Sequence, residues 1–300
     1  MKRLLFIYNP CAGKGKIRTK LLDIIDVLSS AYEVTVYPTK SRGDAVRAAQ
    51  EKGSGYDLIV CSGGDGTLDE VVTGMMACSK KAPLGYIPAG STNDFAVSLG
   101  LSKNMRKAAQ TVVDGRTFRC DVGAFNQDTF VYIAAFGIFT DVSYETPQSY
   151  KNVLGHMAYI LEGMKRLPSL RAYRLKVEYD GNRIEDEFLF GMITNSTSVG
   201  GFKKITGKNV ALNDGLFEMT LIRKPKNAIE LNQIMTALVM ESMDAECIVY
   251  AKTDRIGFSS QEPVAWTLDG EFGGEHETAE IVIRPQAIEI IVPQTEEEPE

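Results

Sequence analysis

The sequence predicts a two-part α/β protein: a first half built on a parallel sheet, then a β-rich sandwich-like half. Three observations predict it. Up to about residue 122, short apolar runs alternate with segments of helical spacing. From about residue 123, strand patterns dominate. The chain has 300 residues, about two ordinary domains, and its 44% hydrophobic and 24% charged content suits a protein that buries a core.

The elements follow in order. Residues 4–8 read as a buried strand, and Ile17, Leu21, Leu22, Ile25 and Leu28 then recur at helical spacing. Residues 33–37 form a second strand, and 44–52 a helix ended by Gly53. A third strand covers 57–61, with a helix from about 68 to 76, and a fourth strand covers 84–87. Ser102 caps a helix that stops at Gly115. In the second half, 130–139 is a long β-rich run, and 174–179 with 183–190 make a hairpin around Asp180-Gly181-Asn182. Segments 216–222, 247–252, 255–259, 264–268 and 279–283 complete the strands, interrupted by helices near 155–167 and 227–241.

Charge and composition exclude several classes. The net charge is −6, and four of the acids (Glu296, Glu297, Glu298 and Glu300) form a tail that reads as disordered; without them the body stands at −2. A nucleic-acid binder usually needs a basic excess, so none is expected as a partner. The longest apolar stretch, 132–139, falls far short of the roughly 20 residues that span a bilayer. The apolar run after Met1-Lys2-Arg3 is stopped by Asn9-Pro10, which reads as an opening strand and not a signal peptide. Five widely spaced cysteines suit reduced thiols in a cytoplasmic protein. Cys11 and Cys61 read as buried small residues. His156 and His276 belong to no metal-ligand cluster, which disfavours a zinc site or a histidine-dependent triad.

Three strand-to-helix turns carry the chemistry. Ser62-Gly63-Gly64-Asp65-Gly66-Thr67 places three glycines where the backbone can approach a ligand, ahead of a helix start that favours anions. A carboxylate at Asp65 would repel phosphate unless Mg²⁺ bridged the two. Asn9-Pro10-Cys11-Ala12-Gly13-Lys14-Gly15-Lys16 follows the first strand but matches neither the P-loop nor the dinucleotide spacing. Pro88-Ala89-Gly90-Ser91-Thr92-Asn93-Asp94-Phe95 follows the fourth, where Ser91 or Thr92 could simply cap a helix. Each turn alone is also readable as an ordinary connection. Together they should gather along the carboxyl edge of the sheet, where open α/β sheets bind ligands.

GGDGT at 63–67, PAGSTNDFA at 88–96 and NPCAGKG at 9–15 resemble the diacylglycerol kinase catalytic-domain family, and the whole chain is similar to its soluble bacterial lipid kinases. The GGDGT block is shared with NAD kinases and approximated by phosphofructokinases; PAGSTNDFA and LDGE at 268–271 point to the lipid kinases. Residues 150–167, the Asp-Gly-Leu turn at 214–216 and the last strand at 287–293 extend the likeness. The chain departs after Gly200-Gly201, where Ile205-Thr206-Gly207-Lys208 stands in place of an Ala-Pro step.

The resemblance implies a division into residues 1–122 with 286–295 as the ATP-binding domain, 123–285 as the lipid-substrate domain, and 296–300 as the tail. It implies ATP between the domains, contacted by Asn9, Pro10, Cys11, Ala12, Gly13, Thr39, Gly63, Gly64, Asp65, Gly66, Thr67, Leu68, Asp69 and Thr92. Asp65, Asp94 and Asp121 would surround a catalytic Mg²⁺, and Glu271 would be the general base. A second, structural Mg²⁺ would take the Asp214 carboxylate and the carbonyls of Ala211 and Leu216. The implied activity is phosphorylation of a lipid hydroxyl, with diacylglycerol the leading acceptor and phosphatidate the product. The implied location is cytoplasmic, with transient peripheral contact to a membrane surface; a homodimer is left open. Lys203, Lys204 and Lys208 near Phe202, and Arg223, Lys224 and Lys226, are candidate membrane contacts, although such charges also suit a solvated face. The rival readings are a kinase of a soluble acceptor such as NAD, and an inactive nucleotide- or lipid-binding regulator.

Overall fold

The computed structural model describes residues 1–137, 171–200, 202–203, 206–207, 209–239 and 245–294. The expected helix at 155–167 and the acidic tail at 296–300 lie outside the described residues, as do Lys204, Ile205 and Lys208. The chain divides into two units, Met1–Val122 with Pro285–Glu300, and Gly123–Arg284.

The first unit contains β1 (Lys2–Tyr8), α1 (Ala12–Gly15), α2 (Ile17–Ser29), β2 (Tyr32–Pro38), α3 (Asp44–Lys52), β3 (Leu58–Gly63), α4 (Asp65–Met76), β4 (Leu84–Pro88), α5 (Asp94–Ser98) and α6 (Met105–Asp114). β1 pairs in parallel with β2 and β3, and β3 with β4. Leu4, Leu5, Phe6 and Ile7 are all fully buried, as expected of a strand covered on both faces. Ile17, Ile24 and Leu28 of α2 and Ala108, Ala109 and Val112 of α6 share a core with Leu4, Phe6, Leu58, Val60 and Ile87. On α3 and α4, Ala45, Ala48, Val71, Val72 and Met75 are buried, and a Cβ at Gly74 would meet the Val46 carbonyl at 2.3 Å, so Gly74 permits close helix packing.

Several expectations are corrected here. Leu22 is 75% exposed, because its angular position on α2 points away from the Ile17–Ile24–Leu28 stripe. α4 starts at Asp65, inside the glycine motif, and not at Leu68. The cap of α6 is Asn104, whose side chain accepts the amides of Arg106 and Lys107; the Ser102 hydroxyl instead accepts the Asn104 amide. Cys11 is exposed, while Cys61 is buried. A strand absent from the sequence reading, β5 (Arg116–Phe125), follows α6 at once.

The second unit adds β6 (Asp128–Phe130), β7 (Ile133–Gly137), β8 (Tyr173–Tyr179), β9 (Asn182–Thr194), the short β10 (Ser198–Val199) and β11 (Phe202–Lys203), β12 (Phe217–Arg223), α7 (Ala228–Val239), β13 (Ile248–Thr253), β14 (Arg255–Leu268) and β15 (Glu271–Val292). The segments read as separate strands at 255–259 and 264–268 are one strand with register shifts, and β15 likewise unites 279–283 with 287–293. β9 and β14 each pair with β8 over one stretch and with β7 over another. Long strands that change partners along their length are how sandwich-like sheets make corners. Trp266 lies against Phe125, Phe136 and Phe258 at 4.9–5.1 Å between ring centroids, and is 1% exposed at the heart of this core.

Candidate functional site

In the first unit the parallel register brings the strand ends level. Tyr8 is opposite Ser62 and Pro38, and Gly63 is opposite Pro88. The turns that follow therefore emerge side by side. Backbone bonds tie them: the Asn9 amide donates to the Ser62 carbonyl at 2.9 Å, Ala89 to Gly63 at 2.7 Å, and Thr39 to Tyr8 at 2.9 Å. Asn9 also donates from its side chain to the Thr67 hydroxyl at 3.3 Å and accepts the Cys11 amide at 2.9 Å. The glycines are needed for this approach. A Cβ at Gly13, which has φ +55°, would sit 2.1 Å from the Ala89 carbonyl oxygen, and one at Gly90 would sit 2.6 Å from the Gly64 Cα.

The structure thus gathers Asn9, Gly13, Thr39, Gly63, Gly64, Thr67 and the 88–93 turn along one edge. Leu68 differs from its neighbours. Its side chain is fully buried and its amide is spent on the Gly64 carbonyl, so it packs α4 against the sheet. Neither Ser91 nor Thr92 caps α5. Asn93 precedes it in the left-handed region, and its amide group accepts from the Gly90 amide at 2.8 Å and donates to the Gly90 carbonyl at 2.9 Å. Tyr86 and Ser62 brace the same turns, with hydroxyls donating to Gly63 at 3.3 Å and Ile87 at 2.9 Å. Burial first, then the Asp65 charge, pushes the Tyr86 phenol well above its ordinary value and keeps it a donor. Asn93, Tyr86 and Ser62 were not foreseen as site residues.

Asp65 accepts the amide of Asp94 at 3.2 Å and, more loosely, that of Phe95 at 3.5 Å, so Asp65 and Asp94 are adjacent. Asp121 is fully buried on β5, where its Oδ1 accepts the Gln286 amide at 2.6 Å and joins β5 to β15. Among the described residues no three acidic, histidine or cysteine side chains form a metal-binding group. Mg²⁺ that arrives on phosphates keeps several waters and needs only one or two carboxylates. Asp65, held beside the start of α5, supplies one carboxylate of that kind.

The second unit presents Glu271 at the start of β15, exposed and opposite Leu268 across a two-residue turn. The turn residues Asp269 and Gly270 both have positive φ, +50° and +85°, as tight hairpins demand. The buried Asp269 carboxylate accepts three successive amides, from Val131 at 2.5 Å, Tyr132 at 2.9 Å and Ile133 at 3.0 Å. It clamps the hairpin to a segment more than 130 residues earlier. The LDGE block gives no sign of this clamp, because the three donors lie more than 130 residues away in the chain.

The turn expected to hold a second Mg²⁺ does not fit that ion. Asp214 Oδ1 accepts the Leu216 amide at 3.1 Å, and Asp214 Oδ2 lies 3.5 Å from the Lys252 ammonium. Of the candidate membrane cations, Arg223 pairs with Asp186 at 3.0 Å and Lys224 with Glu187 at 3.1 Å. Among the described residues no helix is long and apolar enough to cross a membrane.

Two family models match the chain in succession. Residues 3–125 match the family described as diacylglycerol kinase catalytic domain, and residues 134–292 match the YegS C-terminal NAD kinase beta sandwich-like domain. A protein named diacylglycerol kinase from Bacillus subtilis (strain 168) is 38% identical over 277 residues, covering 91% of each chain. One of the same name from Staphylococcus epidermidis is 37% identical over 295 residues, covering 97% of this chain and 92% of its own. A crystal structure from Bacillus anthracis str. Sterne superposes with a TM-score of 0.85 at 27% identity, covering 97% of this chain and 95% of that one.

Proposed function

This chain belongs to the diacylglycerol kinase family, which makes it a lipid kinase, and from that premise we propose that ATP is its phosphoryl donor, diacylglycerol its acceptor and phosphatidate its product. The observation that carries the donor assignment is the convergence of the three glycine-bearing turns, with Gly13 against Ala89 and Gly64 against Gly90. Backbone without side chains at these positions lets phosphate oxygens approach amides closely. Asn9, Thr39, Thr67 and Thr92 add polar contacts from the same edge, with Asp69 one helical position beyond Leu68.

In the proposed reaction Glu271 accepts the proton of the lipid hydroxyl as its oxygen bonds to the γ-phosphorus. The bond from that phosphorus to the β-bridging oxygen breaks, and ADP leaves. Phosphoryl transfer proceeds through a loose transition state, so positioning matters more than covalent assistance from the protein. Mg²⁺, when bound with the nucleotide, would neutralise charge building on the phosphate oxygens. Asp65 would face it, oriented by the Asp94 and Phe95 amides, with Asp94 alongside. Asp121, anchored by the Gln286 amide, would complete this acidic network. The membrane encounter is peripheral and transient, and cytoplasmic placement would suit it.

The test is transfer of labelled γ-phosphate to a panel of lipids in mixed micelles, with NAD as a parallel acceptor. Labelled phosphatidate from diacylglycerol is the expected result. Phosphorylated NAD without labelled lipid would assign the soluble-acceptor activity instead, and nucleotide binding without transfer to either would make the protein a regulator.

A further inference from the structure

The turn after residue 208 carries its own cation. Lys252 reaches from β13, where its register partner on β12 is Glu218. Its Nζ lies 3.0 Å from Glu218 Oε1 and 3.5 Å from Asp214 Oδ2, and donates to the Asn209 carbonyl at 2.9 Å. Three oxygens from the turn and from β12 thus surround one ammonium. The Glu218 side chain is fully buried, and those of Lys252 and Asp214 are each 29% exposed. An ammonium is a compact point charge with three donors, which matches three oxygens near 3 Å. Mg²⁺ instead demands near-octahedral oxygen ligands at about 2.0–2.1 Å. A divalent ion on Asp214 would face the Lys252 charge at close range.

We propose that the Lys252 ammonium is the resident cation of the 209–218 segment, taking the structural place of a divalent ion, so that this part of the fold is independent of metal. The sequence supports the economy of the arrangement. Asp214 and Glu218 are four residues apart, one in a turn and one on a strand, and neither would otherwise have a countercharge among the contacts described. With Lys252 present, one positive charge sits between two carboxylates and closes the turn onto β12 and β13.

The experiment is thermal unfolding of the nucleotide-free full chain in excess Mg²⁺ or Ca²⁺ and in EDTA, at matched ionic strength. The wild-type Tm should be the same in all three. Lys252→Ala removes the ammonium and opens space for a hydrated ion. Its Tm in EDTA should fall by on the order of 5–10 °C, and Mg²⁺ or Ca²⁺ should restore much of the loss. Glu218→Gln in the Lys252→Ala background should abolish that metal response. Three results would overturn the proposal: a wild-type Tm that rises with Mg²⁺ and loses the gain in Asp214→Asn; a Lys252→Ala Tm equal to wild type in EDTA; or a Lys252→Ala Tm that stays low in both metals. The wild-type comparison decides the matter even if the variant does not fold. Because the readout is unfolding without nucleotide, failure of the kinase assay leaves the result intact.

Discussion

In the first unit Asp65 rides on a helix start and is held by the amides of a neighbouring turn, whereas in the second unit Glu271 stands exposed at a hairpin while the adjacent Asp269 does the holding. The first arrangement is made mostly of backbone. Parallel strands end at the same level, and glycines let the turns touch. The second is made of side chains, and depends on one buried carboxylate reaching a distant segment. The difference teaches where function and stability are separable. In the hairpin they fall on neighbouring residues, and in the turns they fall on the same ones.

The largest effect should separate Glu271 from Asp269. Glu271→Gln should lower lipid phosphorylation by about 10²–10⁴-fold while leaving Tm unchanged, since the side chain is exposed. A lowered Tm would mean that Glu271 supports the hairpin and would break the contrast. Asp269→Ala should do the opposite, leaving three buried amides without their acceptor at a cost of about 2–5 kcal/mol in denaturant unfolding. Activity should fall with it, because Glu271 loses its platform. A stable Asp269→Ala protein would show that water or backbone replaces the carboxylate.

In the first unit a single change should cost both. Asn93→Ala removes two hydrogen bonds to Gly90 and should destabilise by about 1–2 kcal/mol, with a weaker KM for ATP of about tenfold if the turn cradles phosphate. An unchanged KM would detach this turn from nucleotide binding. The smallest effect concerns Asp44, which accepts the Lys40 amide next to Thr39. The Lys40 amide first, then Arg47 and Tyr37, hold its carboxyl below the usual range against the cost of burial. A depressed folded pKa contributes stability that is present above the ordinary value and lost as pH falls through the folded one. Asp44→Asn should therefore cost about 1 kcal/mol at neutral pH, and the gap from wild type should close in acid. A gap that persists at low pH would assign the effect to geometry and not to charge.

Much of the first unit is legible in the sequence because its signals are local. Fully buried strands appear as short apolar runs, and helices repeat their apolar positions every three or four residues. The ends of elements are less legible. Asp65 begins α4 although glycines surround it, since a helix start needs no intrahelical donors and tolerates them. Ser102 is a favoured capping residue type, but the backbone path puts Asn104 at the cap of α6 instead. β14 reads as two strands because register shifts after Ser259 and Ala265 interrupt the alternation without ending the strand.

The sequence by itself determined the alternation of strand and helix, the three glycine-bearing turns, and the residue types that carry charge near them. These are properties of neighbours along the chain, so spacing and composition express them. The tertiary structure alone decided which turns touch, that Asp65 accepts the Asp94 amide, that Asp121 accepts the Gln286 amide, and that Asp269 holds up Glu271. It also put an ammonium from β13 beside Asp214, where the family resemblance implied a metal. The physical reason is the same in each case. A buried carboxylate must find a countercharge or donors, and the partner it finds is whichever group packing brings within about 3 Å, however far away it lies in sequence.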